Sequence, residues 1–178
     1  MTNLFTDIPL REGDQAVFNA VIEIPKNAKV KYEYNEKHGV IMVDRVLKVP
    51  HGYPQNYGFF PQTWNKHDND PMDLVVFSNE SLVPGAVVPV RVIGIVEMDD
   101  TGELDHKILT VMADEATFVN VGDVKDLPEN LREELVWFLT HYKELEKNKY
   151  VKIIGVKGRK EAETFLKECE SEYQQNHQ

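Results

Sequence analysis

The residues best suited to chemistry are three carboxylates in one hexapeptide, Asp68-Asn69-Asp70-Pro71-Met72-Asp73. In an extended chain Asp68 and Asp70 face the same side, whereas Asp73 has the opposite parity. Asp73 joins them only if the backbone turns near Pro71, whose ring fixes its own φ and keeps the preceding residue extended. Converging carboxylates repel one another unless a cation lies among them. Because hard divalent cations prefer oxygen ligands, the hexapeptide predicts a metal site, with a solvated acidic loop as the alternative.

Two other phosphate- or metal-binding classes fail on inspection of the sequence. An EF-hand calcium loop starting at Asp68 would have Met72 at position five, Asp73 in place of the glycine at position six, and Asn79 in place of the glutamate at position twelve. A P-loop nucleotide hydrolase is excluded because the chain contains no GxxxxGK[ST] segment.

A second acidic group follows about 30 residues later and contains Asp99, Asp100, Glu103 and Asp105, with Lys107 beside them. In a strand, Asp105 and Lys107 share one face. A carboxylate beside an ammonium suits a site where a metal and a phosphate meet. A surface salt bridge, which carries little energy, is the alternative.

Four further charged residues lie in strand-like surroundings. Lys31 and Glu33 share a strand face, and Glu23 stands inside the apolar run 21–25, where a carboxylate needs a partner. Arg45 lies within the β-branched run 40–47. Taken singly, each of these residues could form a structural ion pair.

Phenols and a lysine complete the set of candidates. Tyr53 and Tyr57 lie in the glycine- and proline-rich stretch 51–61, which predicts a loop. Phenol hydroxyls can donate to phosphate oxygens, although packing beneath the loop is an equally available role. Tyr142 and Lys143 lie near the end of a predicted helix, where a lysine also complements the helix dipole.

The surrounding pattern predicts many short strands followed by helices. Strands are indicated at 20–24, 40–47, 74–77, 87–97, 107–112 and 150–156, with 87–97 and 107–112 forming a hairpin through 100–103. Apolar residues at helical spacing from Leu131 to Tyr142 predict a helix, with Asp126 as its cap and Pro128 in its first turn. A second apolar stripe runs from Ala162 to Tyr173. This order favours a β-barrel or sandwich with helices packed on it.

Length and composition predict one domain spanning residues 1–178. The formal net charge of −10 argues against partners such as nucleic acid and anionic membranes. Cys169 is the single cysteine, so no disulfide can form within the chain and no CxxC motif exists. The sequence shows no signal-peptide pattern and no apolar stretch near the roughly 20 residues of a spanning helix, which predicts a cytoplasmic protein.

Taken together, these motifs resemble the family I soluble inorganic pyrophosphatases of the prokaryotic type. The hexapeptide followed by Leu74 is similar to the signature of that family, D-[small/polar]-D-P-[apolar]-D-[apolar]. Six further segments, at 21–25, 31–33, 44–45, 53–58, 100–107 and 141–143, fall in the family's order at compatible spacing. The resemblance covers roughly residues 23–152. Thr101 departs from it, since relatives often carry an acidic residue there.

The resemblance implies a fold that is mainly β with α, an OB-like five-stranded β-barrel with flanking α-helices and the active site at one end. It implies Mg²⁺, several ions per site, with Mn²⁺ or Zn²⁺ as possible substitutes. It assigns Asp70 as the general base. The implied metal ligands are Asp68, Asp73, Asp100 and Asp105. The implied phosphate-binding residues are Lys31, Arg45, Tyr57, Lys107, Tyr142 and Lys143, and the implied supporting residues are Glu23, Glu33 and Tyr53.

The resemblance further implies pyrophosphate as the substrate and a homohexamer built from two trimers. The alternative from another class is a non-catalytic OB-type module that binds nucleic acid, which a barrel with aromatic loops would suit. The net charge of −10 argues against it.

Overall fold

The computed structural model describes residues 2–13 and 16–176. The strands in these ranges are β1 (Phe18–Ile24), β2 (Val30–Asn35), β3 (Val40–Val46), β4 (Asn56–Phe59), β5 (Asp73–Phe77), β6 (Val87–Asp100), β7 (Glu103–Leu104), β8 (Lys107–Met112) and β9 (Val151–Gly158). The helices are α1 (Glu129–His141) and α2 (Arg159–Asn176), and two short 3₁₀ turns precede α1.

Five of the strands close into a ring in the order β1–β4–β5–β8–β6, with β6 pairing back onto β1. Every pair in the ring is antiparallel except β5–β8, which is parallel. Strand β9 extends β6 outside the ring, and β2 and β3 form a separate hairpin. The predicted OB-like, five-stranded architecture is therefore confirmed.

The ring strands are mostly buried, and the side chains of β5 alternate between two cores. In β5, Val75 and Phe77 pack into the cluster that includes apolar residues of α1, whereas Leu74 and Val76 pack into the cluster that includes α2. This alternation follows from the two-residue period of a strand. Each side chain of this size contributes about 1.5–3 kcal/mol when fully buried, so both helices are held firmly to the ring.

Helix α1 begins later and with a different cap than the sequence predicts. It starts at Glu129 after Pro128, and no side chain caps its first turn. Asp126 instead belongs to the preceding 3₁₀ turn, where it and Asp123 cap each other's backbone N–H groups. Asp126 therefore caps the 3₁₀ turn that precedes α1, and not α1 itself as the sequence predicts.

The predicted loop at 51–61 contains a strand, β4, in its second half. Gly58, which suggested a loop, lies inside this strand opposite Ile22 of β1. A Cβ atom at Gly58 would lie 1.9 Å from the carbonyl oxygen of Val21. The glycine is therefore required by close backbone approach of β1 and β4 rather than by a turn.

Helix α2 buries the predicted stripe through Ala162, Leu166 and Cys169. Within residues 2–13 and 16–176, no helix is both long and apolar enough to cross a membrane.

Candidate active site

A cavity of about 280 Å³ opens at the end of the ring where β5 and β8 begin and β6 ends. A second cavity of about 100 Å³ adjoins it, and the two share Lys31, Tyr57, Asp70 and Asp73 in their walls. Every site residue predicted from the sequence lines one or both cavities except Arg45. Residues from the hexapeptide loop, from the second acidic group and from the end of α1 therefore line the same cavity.

The hexapeptide loop brings its three carboxylates to the larger cavity, as the sequence predicts. The turn lies at Asn69, whose φ is +58°, rather than at Pro71. Asparagine tolerates this left-handed conformation better than most residues do. The loop is closed by two backbone hydrogen bonds: the N–H of Asn65 donates to the carbonyl of Asp70 over 2.8 Å, and the N–H of Asn69 donates to the carbonyl of Asn65 over 2.9 Å.

The parallel pair β5–β8 sets Asp73 beside Lys107, because each is the first residue of its strand and Leu74 is in register with Ile108. The Lys107 side chain is 3% exposed, and its ammonium contacts both Asp73 and Asp105. The Tyr57 hydroxyl donates to Asp73 over 2.6 Å. The predicted pairing of Asp105 with Lys107 is thus present, but as a buried contact rather than a surface salt bridge.

Asp100 is the last residue of β6, and its partners come from the end of α1. Tyr142 caps the helix, and its hydroxyl donates to the Asp100 carboxylate over 3.2 Å. The ammonium of Lys143 contacts the same carboxylate. The helix end and the sheet end therefore meet at one carboxylate.

The smaller cavity contains Glu23, Lys31 and Glu33 in its walls. Glu23 is nearly buried, and its carboxylate accepts a hydrogen bond from the backbone N–H of Tyr34 over 2.6 Å. Lys31 contacts Glu33 and lies 3.6 Å from Asp44. The buried glutamate thus has the partner that the sequence required.

Tyr53 lies beneath the larger cavity as part of an aromatic cluster. Its ring centroid is 4.8 Å from that of Phe138 and 5.4 Å from that of Tyr57. Packing of this kind fixes the orientation of the Tyr57 phenol, so the packing role and the supporting role predicted for Tyr53 are compatible.

Arg45 is held outside the cavity walls. Its guanidinium contacts Asp44, and its Nε lies 3.1 Å from the carboxylate of Glu146 in the segment after α1. Three polar residues that the sequence did not assign to the site also line the larger cavity, namely Thr101, Glu103 and Lys149. Lys149 could have been found, since it continues the lysine-rich run that starts at Lys143.

Burial and mutual repulsion raise the pKa of the loop carboxylates. Burial, together with the charges of Asp73 and Asp105, raises the pKa of Asp68 to about 8. Burial and the charges of Asp73 and Glu33 raise the pKa of Asp70 to about 7. Asp105 behaves oppositely: burial would raise its pKa, but the adjacent Lys107 ammonium lowers it. Ionising all of the loop carboxylates would therefore place more negative charge in the cavity than the neighbouring lysines neutralise.

The donor set fits a hard divalent cation. The four predicted ligands offer only carboxylate oxygens, and the raised pKa values of the loop show that additional positive charge would stabilise the ionised forms. In the described part of the chain, no three acidic, histidine or cysteine groups already form a preassembled metal site. Lysine ammonium groups, from Lys107 and Lys143, lie among the carboxylates instead.

A comparison with protein families matches residues 20–174 to the family described as inorganic pyrophosphatase. Two archaeal proteins named inorganic pyrophosphatase are similar over most of their length. The protein of Saccharolobus solfataricus is 46% identical over 153 residues, covering 85% of this chain and 88% of the relative. The protein of Sulfolobus acidocaldarius is 48% identical over 141 residues, covering 78% and 81%.

Solved structures agree with the sequence comparison. The crystal structure of inorganic pyrophosphatase from Thermus thermophilus superimposes with a TM-score of 0.92 at 38% identity, covering 97% of this chain and 99% of that one. The Helicobacter pylori enzyme superimposes with a TM-score of 0.88 at 35% identity.

Proposed function

Because this chain belongs to the inorganic pyrophosphatase family, we propose that it hydrolyses pyrophosphate to two phosphates in the aspartate-lined cavity. The family predicted from the sequence motifs is confirmed. The observation that supports the location is the convergence, in one cavity, of five aspartates with Lys31, Lys107 and Lys143. A polyanionic substrate and its metal ions need both kinds of group together.

We infer that the metal is Mg²⁺, with Mn²⁺ or Zn²⁺ as possible substitutes, held by Asp68, Asp73, Asp100 and Asp105. Bound there, Mg²⁺ supplies Lewis-acid activation of water and neutralises phosphate charge. The carboxylate-only donor set and the excess negative charge of the loop support this assignment.

Asp70 has the role of general base in this proposal. It lines both cavities, together with proposed metal ligands and proposed phosphate-binding lysines. Burial and the charges of Asp73 and Glu33 raise the pKa of Asp70, and both effects favour acceptance of a proton by its carboxylate. Asp70 takes the proton of the attacking water, and its backbone is held by the hydrogen bond from Asn65.

The basic residues and phenols bind the phosphates. Lys107 and Lys143 neutralise aspartates in the structure described here, and cations on those aspartates would free both ammonium groups for phosphate oxygens. Tyr57 and Tyr142 donate through hydroxyls that already point at carboxylates of the site. Lys31 completes the wall from the β2–β3 hairpin.

For Arg45 to bind the substrate, its guanidinium would have to give up its contact with the carboxylate of Glu146. Its guanidinium can grip two phosphate oxygens at once, which a lysine cannot do. Glu23 and Glu33 are proposed to orient water or a further metal ion from the smaller cavity, while Tyr53 supports Tyr57 from below.

The test is phosphate release from pyrophosphate, measured with Mg²⁺ and again after addition of EDTA. Fast release that EDTA abolishes supports the proposal. No release with any divalent cation would refute it and would reopen the OB-type binding alternative, which the comparisons and the net charge of −10 do not favour.

The assembly and location predicted from the sequence are carried forward as proposals. We propose a homohexamer in the cytoplasm, and the buried thiol of Cys169 is compatible with a reducing compartment. Light scattering of the purified protein tests the assembly, where a monomer in dilute solution would contradict it.

A further inference from the structure

Asn65 is a buried polar residue whose side chain has no role in the mechanism proposed above. It is 1% exposed and lies just before the hexapeptide loop. Its Nδ2 donates to the Asp68 carboxylate over 2.7 Å and to the carbonyl of Leu104 over 3.5 Å. Its Oδ1 accepts from the backbone N–H of His67 over 3.2 Å.

The chemistry of these partners fixes the orientation of the amide. The carbonyl of Leu104 can only accept and the backbone N–H of His67 can only donate, so exchanging Oδ1 with Nδ2 would set acceptor against acceptor and donor against donor. The backbone of Asn65 also bonds to Asp70 and Asn69. One residue therefore holds the loop by its main chain and its side chain together.

The same side chain connects the two acidic segments of the site. Leu104 is the last residue of β7 and directly precedes Asp105. Asp68 and Asp105 both line the larger cavity, and the charge of Asp105 raises the pKa of Asp68. Neighbouring ionised carboxylates repel each other, so a tether that holds both segments opposes their separation.

We propose that Asn65 is a positioning residue that sets the spacing of Asp68 and Asp105 and thereby the Mg²⁺ affinity of the pair. The inference rests on the proposed function, because it assumes that these two aspartates are metal ligands. The amide of Asn65 donates both to one proposed ligand and to the carbonyl that precedes another, so one side chain holds the two ligand segments together.

Asn56 provides a matched control. It is 0% exposed, accepts from the backbone N–H groups of Lys26 and Leu82, and donates to the carbonyl of Glu80. None of these partners is a side chain of the site. Removing its amide therefore tests the loss of a buried hydrogen-bond network alone.

The experiment compares Asn65→Ala with Asn56→Ala by calorimetric titration of Mg²⁺ and by steady-state hydrolysis. A lost hydrogen bond to a charged group corresponds to roughly 10- to 100-fold in an equilibrium constant. We expect Asn65→Ala to raise the Mg²⁺ dissociation constant about 10-fold or more. Asn56→Ala should lower the melting temperature and change the Mg²⁺ dissociation constant less than about twofold.

If Asn65→Ala does not fold, the isosteric variant Asn65→Asp is measured in its place. It keeps the volume and the Oδ1 acceptor but replaces the donor with a negative charge facing Asp68, so kcat at saturating Mg²⁺ should fall about 10-fold or more. Wild-type affinity and kcat in the folded Asn65 variants, or an equal effect from Asn56→Ala, would overturn the proposal. If wild-type protein binds Mg²⁺ but releases no phosphate, the proposed function fails, while the Mg²⁺ titration still decides the role of Asn65.

Discussion

Binding of Mg²⁺ to the cation-free protein should release protons at neutral pH. The pKa of Asp68 is about 8 and that of Asp70 about 7, so at pH 7 the first is about 0.9 protonated and the second about 0.5. A cation favours the ionised form of both. Counting Asp68 and Asp70 alone, we therefore expect release of about 1 to 1.4 protons per chain at pH 7.

The direction in which Mg²⁺ affinity changes with pH follows from the direction of the two pKa shifts. Both pKa values are raised in the cation-free folded state, so protons compete with Mg²⁺ below pH 8, and affinity should rise with pH through the range of about 6 to 8. At pH 9 Asp68 is only about 0.1 protonated, and release should fall to about one tenth of a proton.

Calorimetric titration of Mg²⁺ in two buffers of different ionisation enthalpy measures this release directly. The difference in observed enthalpy, divided by the difference in buffer enthalpy, gives the number of protons. Asp70→Asn serves as an internal check and should lower the count at pH 7 by at most about 0.5. An enthalpy independent of buffer at pH 7, or the same proton count at pH 7 and pH 9, would refute the reasoning.

Three further changes have definite expected outcomes. Asp70→Asn should keep Mg²⁺ binding but reduce kcat at least about 10²-fold, the usual scale for a positioned acid–base group, and near-normal turnover would rule out its role. Lys143→Ala should raise the KM for pyrophosphate more than it raises the Mg²⁺ dissociation constant. Substitution of the exposed Lys152 by alanine is the control and should change neither constant. Equal effects of Lys143→Ala on both constants would count against phosphate binding by Lys143. Gly58→Ala should destabilise the protein by several kcal/mol in urea titration, because its Cβ would lie 1.9 Å from a carbonyl oxygen of β1. Gly122→Ala is the matched control, since its Cβ would meet nothing nearer than 3.8 Å, and an equal effect of both alanines would contradict the steric explanation.

Local patterns in the sequence predict most of the elements, because these depend on periodicity and on nearby residues. The short apolar run at 74–77 and the helical spacing around Phe138 correspond to real elements in the structure. The strand β4 was missed because Gly58 has the same appearance in a turn and in a tightly packed strand. Only the position of β1 beside it distinguishes the two cases.

The site was predictable as a set of residue types, and less so as a set of contacts. The resemblance to the family indicated which acidic side chains would form the site, and these line one cavity. That Arg45 contacts Glu146 depends on where the segment after α1 crosses the β2–β3 hairpin, which no local pattern records. Asn65 was missed for the same reason, since its partners are fixed by the loop and by β7.

Closure of the ring by β1 and β6 constrains the order of events during folding. Phe18 pairs with Val90, so about 70 residues must be enclosed before this contact forms, at a chain-entropy cost of about 4 kcal/mol by loop-length scaling alone. The parallel pair β5–β8, which sets Asp73 beside Lys107, is likewise non-local. Recovery of hydrolysis after dilution from denaturant should therefore lag behind the formation of individual strands and helices, so that enzymatic activity reports completion of the whole ring.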